Sequence, residues 1–163
     1  MTGYADLLGA LARANVDFIL VGGLAATAHG SARLTQDIDV VYSRTPGNID
    51  RLVEALQPHR PYLRGAPRDL PFAWSAETVR RGLNFTLTTA LGDIDLLGEI
   101  AGGGDYRNLR PHTVRLELFG RSCLCLDLPT LVRVKRAAGR PKDFEAIAEL
   151  EALLEERKGG GGD

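Results

Sequence analysis

Two apolar runs, Asp17–Val21 (DFILV) and Asp37–Tyr42 (DIDVVY), are separated by Gly22-Gly23 and an Ala-rich stretch, Leu24–His29, that ends at Gly30. In the first, four consecutive apolar residues stopped by two glycines read as a short buried strand that must turn at once. The Ala-rich stretch reads as a helix, and the second run alternates as a strand. A strand, a glycine turn, a helix and a second strand in quick succession commit the chain to a layered α/β (α+β) arrangement. Gly22 and Gly23 also have a chemical reading. Glycine lets backbone amides approach a ligand closely, and a helix start adds a positive dipole end, which together suit a triphosphate. The competing reading is turn geometry alone, since strand–Gly-Gly–helix junctions occur in many folds.

Asp37 and Asp39 stand one residue apart, so on a strand both carboxylates point the same way. Two adjacent carboxylates repel, and a divalent cation removes that cost. The alternative is a pair of solvated aspartates on an edge strand. Ile38, Val40 and Val41 argue for a buried strand, where bare carboxylates are expensive.

The remainder of the chain continues the α/β pattern. Residues 4–14 form an amphipathic helix, and Pro46 opens another with Ile49, Leu52, Val53 and Leu56 in a stripe. Residues 58–74 carry four prolines and read as a long loop. Ser75 caps a short helix to Arg80. Asn84–Thr89 and Asp93–Leu97 form a hairpin across Ala90-Leu91-Gly92, and Gly102-Gly103-Gly104 breaks the chain. Val114–Leu118 and Ser122–Leu126 form a second hairpin around Gly120. Pro129 opens a helix closed by Gly139. Pro141 opens a last helix to about Arg157, with Phe144, Ile147, Leu150 and Leu154 on one face. The expected architecture is a mixed β-sheet with helices on one side and a C-terminal helical segment. The expected division is 1–128 as core, 129–158 as helical segment and 159–163 as flexible tail.

In Gly92-Asp93-Ile94-Asp95-Leu96-Leu97, Asp93 and Asp95 again share a face. Asp93 adjoins the turn, and Asp95 lies deeper in the apolar run, so Asp95 is the candidate third carboxylate. A strand aspartate by itself is more often paired with a nearby base than with a metal.

With 163 residues, the chain suits one domain with a small appendage and needs no staples. A net charge of −1 argues against a protein coated in nucleic acid, while leaving room for a local basic patch. Cys123 and Cys125 lie two apart on one strand and read as buried thiols in a reducing, cytoplasmic setting. The N-terminal stretch lacks the marks of a signal peptide, and no run of about 18 apolar residues marks a membrane span.

The string VGGLAATAHGSARLTQDIDVV, residues 21–41, followed by a distant Asp95, resembles the signature of the DNA polymerase β-like nucleotidyltransferase superfamily. Its Gly-Gly, His-Gly, Arg, Thr and Asp-x-Asp order is similar to the small bacterial branch that contains the AbiEii-type toxins. The segment Lys135-x-x-x-x-Arg140-Pro141-Lys142-Asp143 is similar to a basic motif that follows the core in that branch. Where the family often has serine after the first glycine, this chain has Gly23. The resemblance implies a minimal nucleotidyltransferase fold and transfer of a nucleoside monophosphate from a nucleoside triphosphate to a hydroxyl, with release of pyrophosphate. It implies two Mg²⁺ ions, with Mn²⁺ as a substitute, held by Asp37, Asp39 and Asp95. It also implies nucleotide or phosphate contacts from Gly22, Gly23, Ser31, Arg33, Thr35, Lys135, Arg140 and Lys142.

For His29, a satisfied histidine at a helix end is the plainer reading, and for Asp143 a local pairing is as good as an active role. The acceptor expectation is RNA, with a tRNA end as the site of transfer, in a toxin–antitoxin setting with an antitoxin or a homodimer partner. The alternatives are a small-molecule acceptor of aminoglycoside type, which would want surplus acid near residues 93–99, a protein hydroxyl, and a nucleotide-binding module without turnover.

Overall fold

The computed structural model describes residues 3–32 and 38–160. In chain order the elements are α1 (Tyr4–Arg13), β1 (Phe18–Leu20), α2 (Gly23–Ala28), β2 (Ile38–Tyr42), α3 (Pro46–Leu56), β3 (Tyr62–Leu63), α4 (Ala76–Arg81) and β4 (Phe85–Thr89). There follow β5 (Gly92–Leu97), β6 (Glu99–Ile100), β7 (Gly104–Asp105), α5 (Tyr106–Leu109), β8 (Thr113–Leu118), β9 (Arg121–Leu126), α6 (Leu128–Ala138) and α7 (Phe144–Gly160). Seven strands form one mixed sheet in the order β3-β4-β5-β2-β1-β9-β8, and β6 pairs with β7 separately.

Local chemistry sets the element ends. The Ser75 hydroxyl accepts from the Thr78 amide and starts α4, and the Asp127 carboxylate accepts from the Thr130 amide to start α6. Gly139 takes a left-handed conformation (φ 65°) that ends α6. Asp105 and Asn108 form a reciprocal cap on α5. The turn between β8 and β9 holds Phe119 and Gly120 at φ 53° and 76°, the twist a two-residue hairpin needs.

The pairing of β2 with its neighbours sorts the sheet into two faces. Ile38, Val40, Ile94, Leu96 and Leu87 lie on one face and are fully buried. Phe85 shares that face, and Trp74 stacks on it edge-on at 6.3 Å while donating its indole N–H to the Val53 carbonyl in α3. Asp39, Asp95 and Leu97 lie on the opposite face, where Val134, Lys135 and Ala138 of α6 look across at Asp39 and Leu97. Helices therefore cover both faces, which corrects the expected one-sided arrangement. Consecutive residues Ile19 and Leu20 in β1 and Val40 and Val41 in β2 are all fully buried, so each face requires its own cover.

Three other expectations change. The segment 58–74 contains β3, which pairs with β4 through Tyr62–Thr88 and Leu63–Leu87. Two residues of strand are too few to leave a period in the sequence. The glycines at 102–104 turn the β6–β7 hairpin rather than only breaking the chain. Phe144 is 62% exposed instead of lying on the packed face of the last helix. The preceding residue, Asp143, turns inward to meet two cations, so the first residue of α7 must point out; Leu150 carries the burial instead.

Candidate active site: a carboxylate pair beside a basic helix

Asp39 and Asp95 are register partners in the parallel β2–β5 pair. Directly paired strand residues share a face, so the two carboxylates stand side by side although 56 positions separate them in the chain. Asp37, Arg33 and Thr35 lie outside the described residues.

Gly22 explains why Asp39 fits where it does. The end of β1 brings residues 21–22 against β2, with the Val21 amide donating to the Asp39 carbonyl at 3.1 Å. A Cβ on Gly22 would lie 2.7 Å from Asp39 Cγ and closer still to its Oδ2. The Asp39 carboxylate occupies the space that any other residue at 22 would fill.

Asp95 is tied to a residue the sequence reading did not single out. Arg64, just past β3, donates from its backbone to the Thr86 carbonyl. Its guanidinium reaches Asp95 Oδ1 at 3.0 Å and Asp93 Oδ2 at 3.3 Å and donates to the Leu87 carbonyl at 2.7 Å. One arginine thus serves the two same-face aspartates of β5. This is the pairing with a base that a strand aspartate often makes. Arg64 is one of three arginines in the proline-rich segment 58–74, and nothing in the sequence marks it out for this pairing.

A cavity of about 360 Å³ opens next to Asp39. Val21, Gly22 and Leu97 form its floor, Lys135, Ala138 and Arg140 one wall, and Asn84 and Glu99 part of its rim. Asp95 stands beside the cavity rather than lining it. Asn84 and Glu99 were not singled out in the sequence. Asn84 holds the end of β5 by accepting from the Gly98 amide at 2.8 Å, a role set by tertiary contact.

The basic wall is held by Asp143. Its carboxylate accepts from Arg140 Nε at 2.7 Å and meets Lys135 Nζ at 3.6 Å, and the residue is only 6% exposed. Burial pushes its carboxyl up, but the Arg140 hydrogen bond and the Lys135 charge outweigh this and leave it below its ordinary value. Lys142 falls in the same 3-10 turn, Pro141–Asp143.

Ser31 is away from the cavity. Its hydroxyl donates to Glu149 of α7 at 2.5 Å, and Glu149 also receives the Ala32 amide at 3.4 Å. His29 joins the same contact. Its Nε2–H donates to the Leu126 carbonyl at 2.7 Å, its Nδ1 accepts from Arg157, and Arg157 also binds the His29 carbonyl, both at 2.9 Å. This is the satisfied helix-end histidine. α7 thereby clasps the chain just before the segment that leads to β2.

Burial pushes the His29 pKa down most, the Leu126 carbonyl offsets this in part, and Arg157 lowers it further against a smaller opposing effect of Asp127. The folded value lies below the ordinary one near 6.5. The unfolded chain therefore binds the proton first, and this contribution to stability is complete above about pH 6.5 and fades as pH falls through that value. Thermal melts from pH 8 to pH 5 should show the wild type losing its advantage over His29→Gln across this window. An advantage that stays constant with pH would contradict the assignment.

Cys123 and Cys125 are free and buried, and burial raises both thiols, Cys125 to about 12. Among the described residues no group of three His, Cys, Asp or Glu side chains is placed to hold a metal ion, and no helix is long and apolar enough to cross a membrane. Asp39 and Asp95 are hard oxygen donors side by side, which fits part of a magnesium site. Arg64 would have to yield Asp95 for that residue to become a ligand.

No protein-family model matches this chain, and no curated protein matches it by sequence. Solved structures do. The chain is similar to the solution structure of the antibiotic-resistance factor ANT(2'')-Ia, with a TM-score of 0.51 and 15% identity over 97% of this chain and 92% of that one. It is also similar to the crystal structure of ANT(2'')-Ia in complex with adenylyl-2''-tobramycin, with a TM-score of 0.53 and 14% identity over 94% and 95%. Neither neighbour supports the narrower likeness to AbiEii-type toxins. At such identity the likeness concerns the path of the backbone, and on that ground this chain has a nucleotidyltransferase fold, with its mixed seven-stranded sheet flanked by helices.

Proposed function

We propose that the protein transfers a nucleoside monophosphate from a nucleoside triphosphate to an acceptor hydroxyl. The observation that carries this reading is the Asp39–Asp95 register pair beside a cavity whose opposite wall presents Lys135 and Arg140. The acceptor oxygen attacks the α-phosphorus, a new P–O bond forms, and the bond to the bridging oxygen breaks, so pyrophosphate leaves. The hydroxyl proton passes to a carboxylate, for which Asp95 is the candidate. Asp39 and Asp95, with Asp37, would hold magnesium, which when bound neutralises phosphate charge and acidifies the acceptor hydroxyl. Lys135 and Arg140 draw the phosphates to the wall. Gly22 and Gly23 allow close approach of backbone at the start of α2, and Arg33, Thr35 and Lys142 are the further contacts of this reading; Ser31, held by Glu149 away from the cavity, drops out of it.

Two acceptor classes remain in play, each with its own support. Lys135 and Arg140 suit a polyanion such as RNA, the toxin-like reading. Glu99 and Asp39 on the same cavity suit a cationic amino-sugar, and one structural neighbour holds an adenylylated one. Incubation with each labelled triphosphate and Mg²⁺, with total RNA in one arm and an aminoglycoside panel in another, separates them. Label on RNA or on the amino-sugar identifies the acceptor, and absence of pyrophosphate release in every arm sinks the proposal.

Asp143→Ala should raise KM for the triphosphate more than it lowers kcat, because Lys135 and Arg140 lose the group that orients them. Removing the buried partner should also cost about 1–3 kcal/mol of stability. Steady-state kinetics with a denaturant titration checks both.

A further inference from the structure

Among the described residues, the outermost strand β8 has a partner on one side only. It pairs with β9 from Thr113–Leu126 to Leu118–Arg121 and ends the sheet. Six residues make a long edge, and an edge presents unpaired N–H and C=O groups. Its sequence, TVRLEL, contains no proline and reads symmetrically about Leu116.

We propose that β8 pairs antiparallel with β8 of a second copy of this chain, centred on Leu116. In that register Leu116 faces its own equivalent and Val114 faces Leu118 of the other copy. Arg115 faces Glu117 of the other copy, twice over by symmetry. Directly opposed antiparallel residues share a face, so apolar residues meet on one side and two opposite-charge pairs form on the other. No neighbouring register does this. Centring on Arg115 or on Glu117 sets like charges opposite each other, and a one-residue slip sets charge against leucine.

Exposure points the same way. Val114 is 38% exposed although its strand alternation turns it to the same side as buried Leu118. Phe119, 52% exposed in the turn beyond β8, falls beside Thr113 of the second copy in this register. These are two of the five large apolar side chains exposed among the described residues, and both sit at the ends of this strand. The symmetric operation is isologous, so it closes at two subunits and builds no fibre. β8 is three places from β2 in the sheet, which leaves the Asp39 cavity open.

The same two charges on a lone edge would act only as guards against pairing, and a charge swap tells the two roles apart. Light scattering over a concentration series should show the mass rising from the 17.6 kDa monomer to twice that value. Glu117→Arg and Arg115→Glu should each weaken association at least about tenfold, since each sets like charges opposite each other. The double variant R115E/E117R should restore it. Circular dichroism and melting confirm that each variant is folded, and Arg115 and Glu117 are exposed enough to be changed. A wild type that stays monomeric up to millimolar concentration, or a double variant no better than the singles, overturns the proposal. Activity plays no part in the readout, so the result is independent of the proposed reaction.

Discussion

Replacing Asp39 with asparagine is expected to reduce nucleotidyl transfer by about a thousandfold or more while leaving the fold intact. The substitution keeps the shape that fills the hollow at Gly22 and removes only the charge. The side chain lies on the cavity beside its register partner Asp95 and across from Lys135 and Arg140. Loss of a single electrostatic contact to reacting groups in a water-poor site costs about 10²–10³ in rate, and loss of a formal charge shared with a metal costs more. Pyrophosphate release measured with saturating triphosphate, together with a thermal melt, tests this. A variant that melts normally and turns over at the wild-type rate would falsify the assignment of Asp39. A variant that is unfolded would instead point to a structural carboxylate.

Gly22→Ala is expected to abolish transfer nearly as thoroughly by a different route. The added methyl overlaps the Asp39 carboxylate, and Gly22 lies just past β1 and is held against β2 by the Val21–Asp39 backbone hydrogen bond, so neither backbone yields readily. The side chain of Asp39 must rotate away from its position, or the turn at Gly22 must pull away from β2. Overpacking of this kind costs about 1–3 kcal/mol of stability. The activity loss should greatly exceed what that destabilisation explains at a temperature where the variant is folded. Gly22 has φ of −110°, so no left-handed strain enters, and steric overlap is the whole effect. If the alanine variant retains activity, the carboxylate has room to spare and its placement does not depend on this glycine.

The sequence made some parts of this arrangement legible because their signals are local. The run DIDVVY shows by its period of two that residue 39 opposes 38 and 40 on the strand, and the same holds for Asp95 in DIDLL. The cap at Ser75 and the stop at Gly139 belong to residues within three positions of the helix ends they set. The glycine pair after DFILV marked the turn beside β2, but not its tight fit against Asp39.

Other parts had no local signal. The short strand β3 lies within a proline-rich segment, and only its pairing with β4 gives Arg64 a place over Asp93 and Asp95. Ser31 is suited by chemistry to a phosphate, yet α7 supplies Glu149 from 118 positions away. Phe144 follows the helical period of its neighbours, but the inward turn of Asp143 sets the phase.

The sequence by itself determined the longer strands, which face each aspartate takes on its own strand, and that a basic segment follows the core. The tertiary structure alone decided that Asp39 and Asp95 meet, because a parallel β2–β5 register is a non-local choice that periodicity cannot encode. It also decided that Lys135 and Arg140 line the Asp39 cavity, since a helix displays its face to whatever packs beneath it.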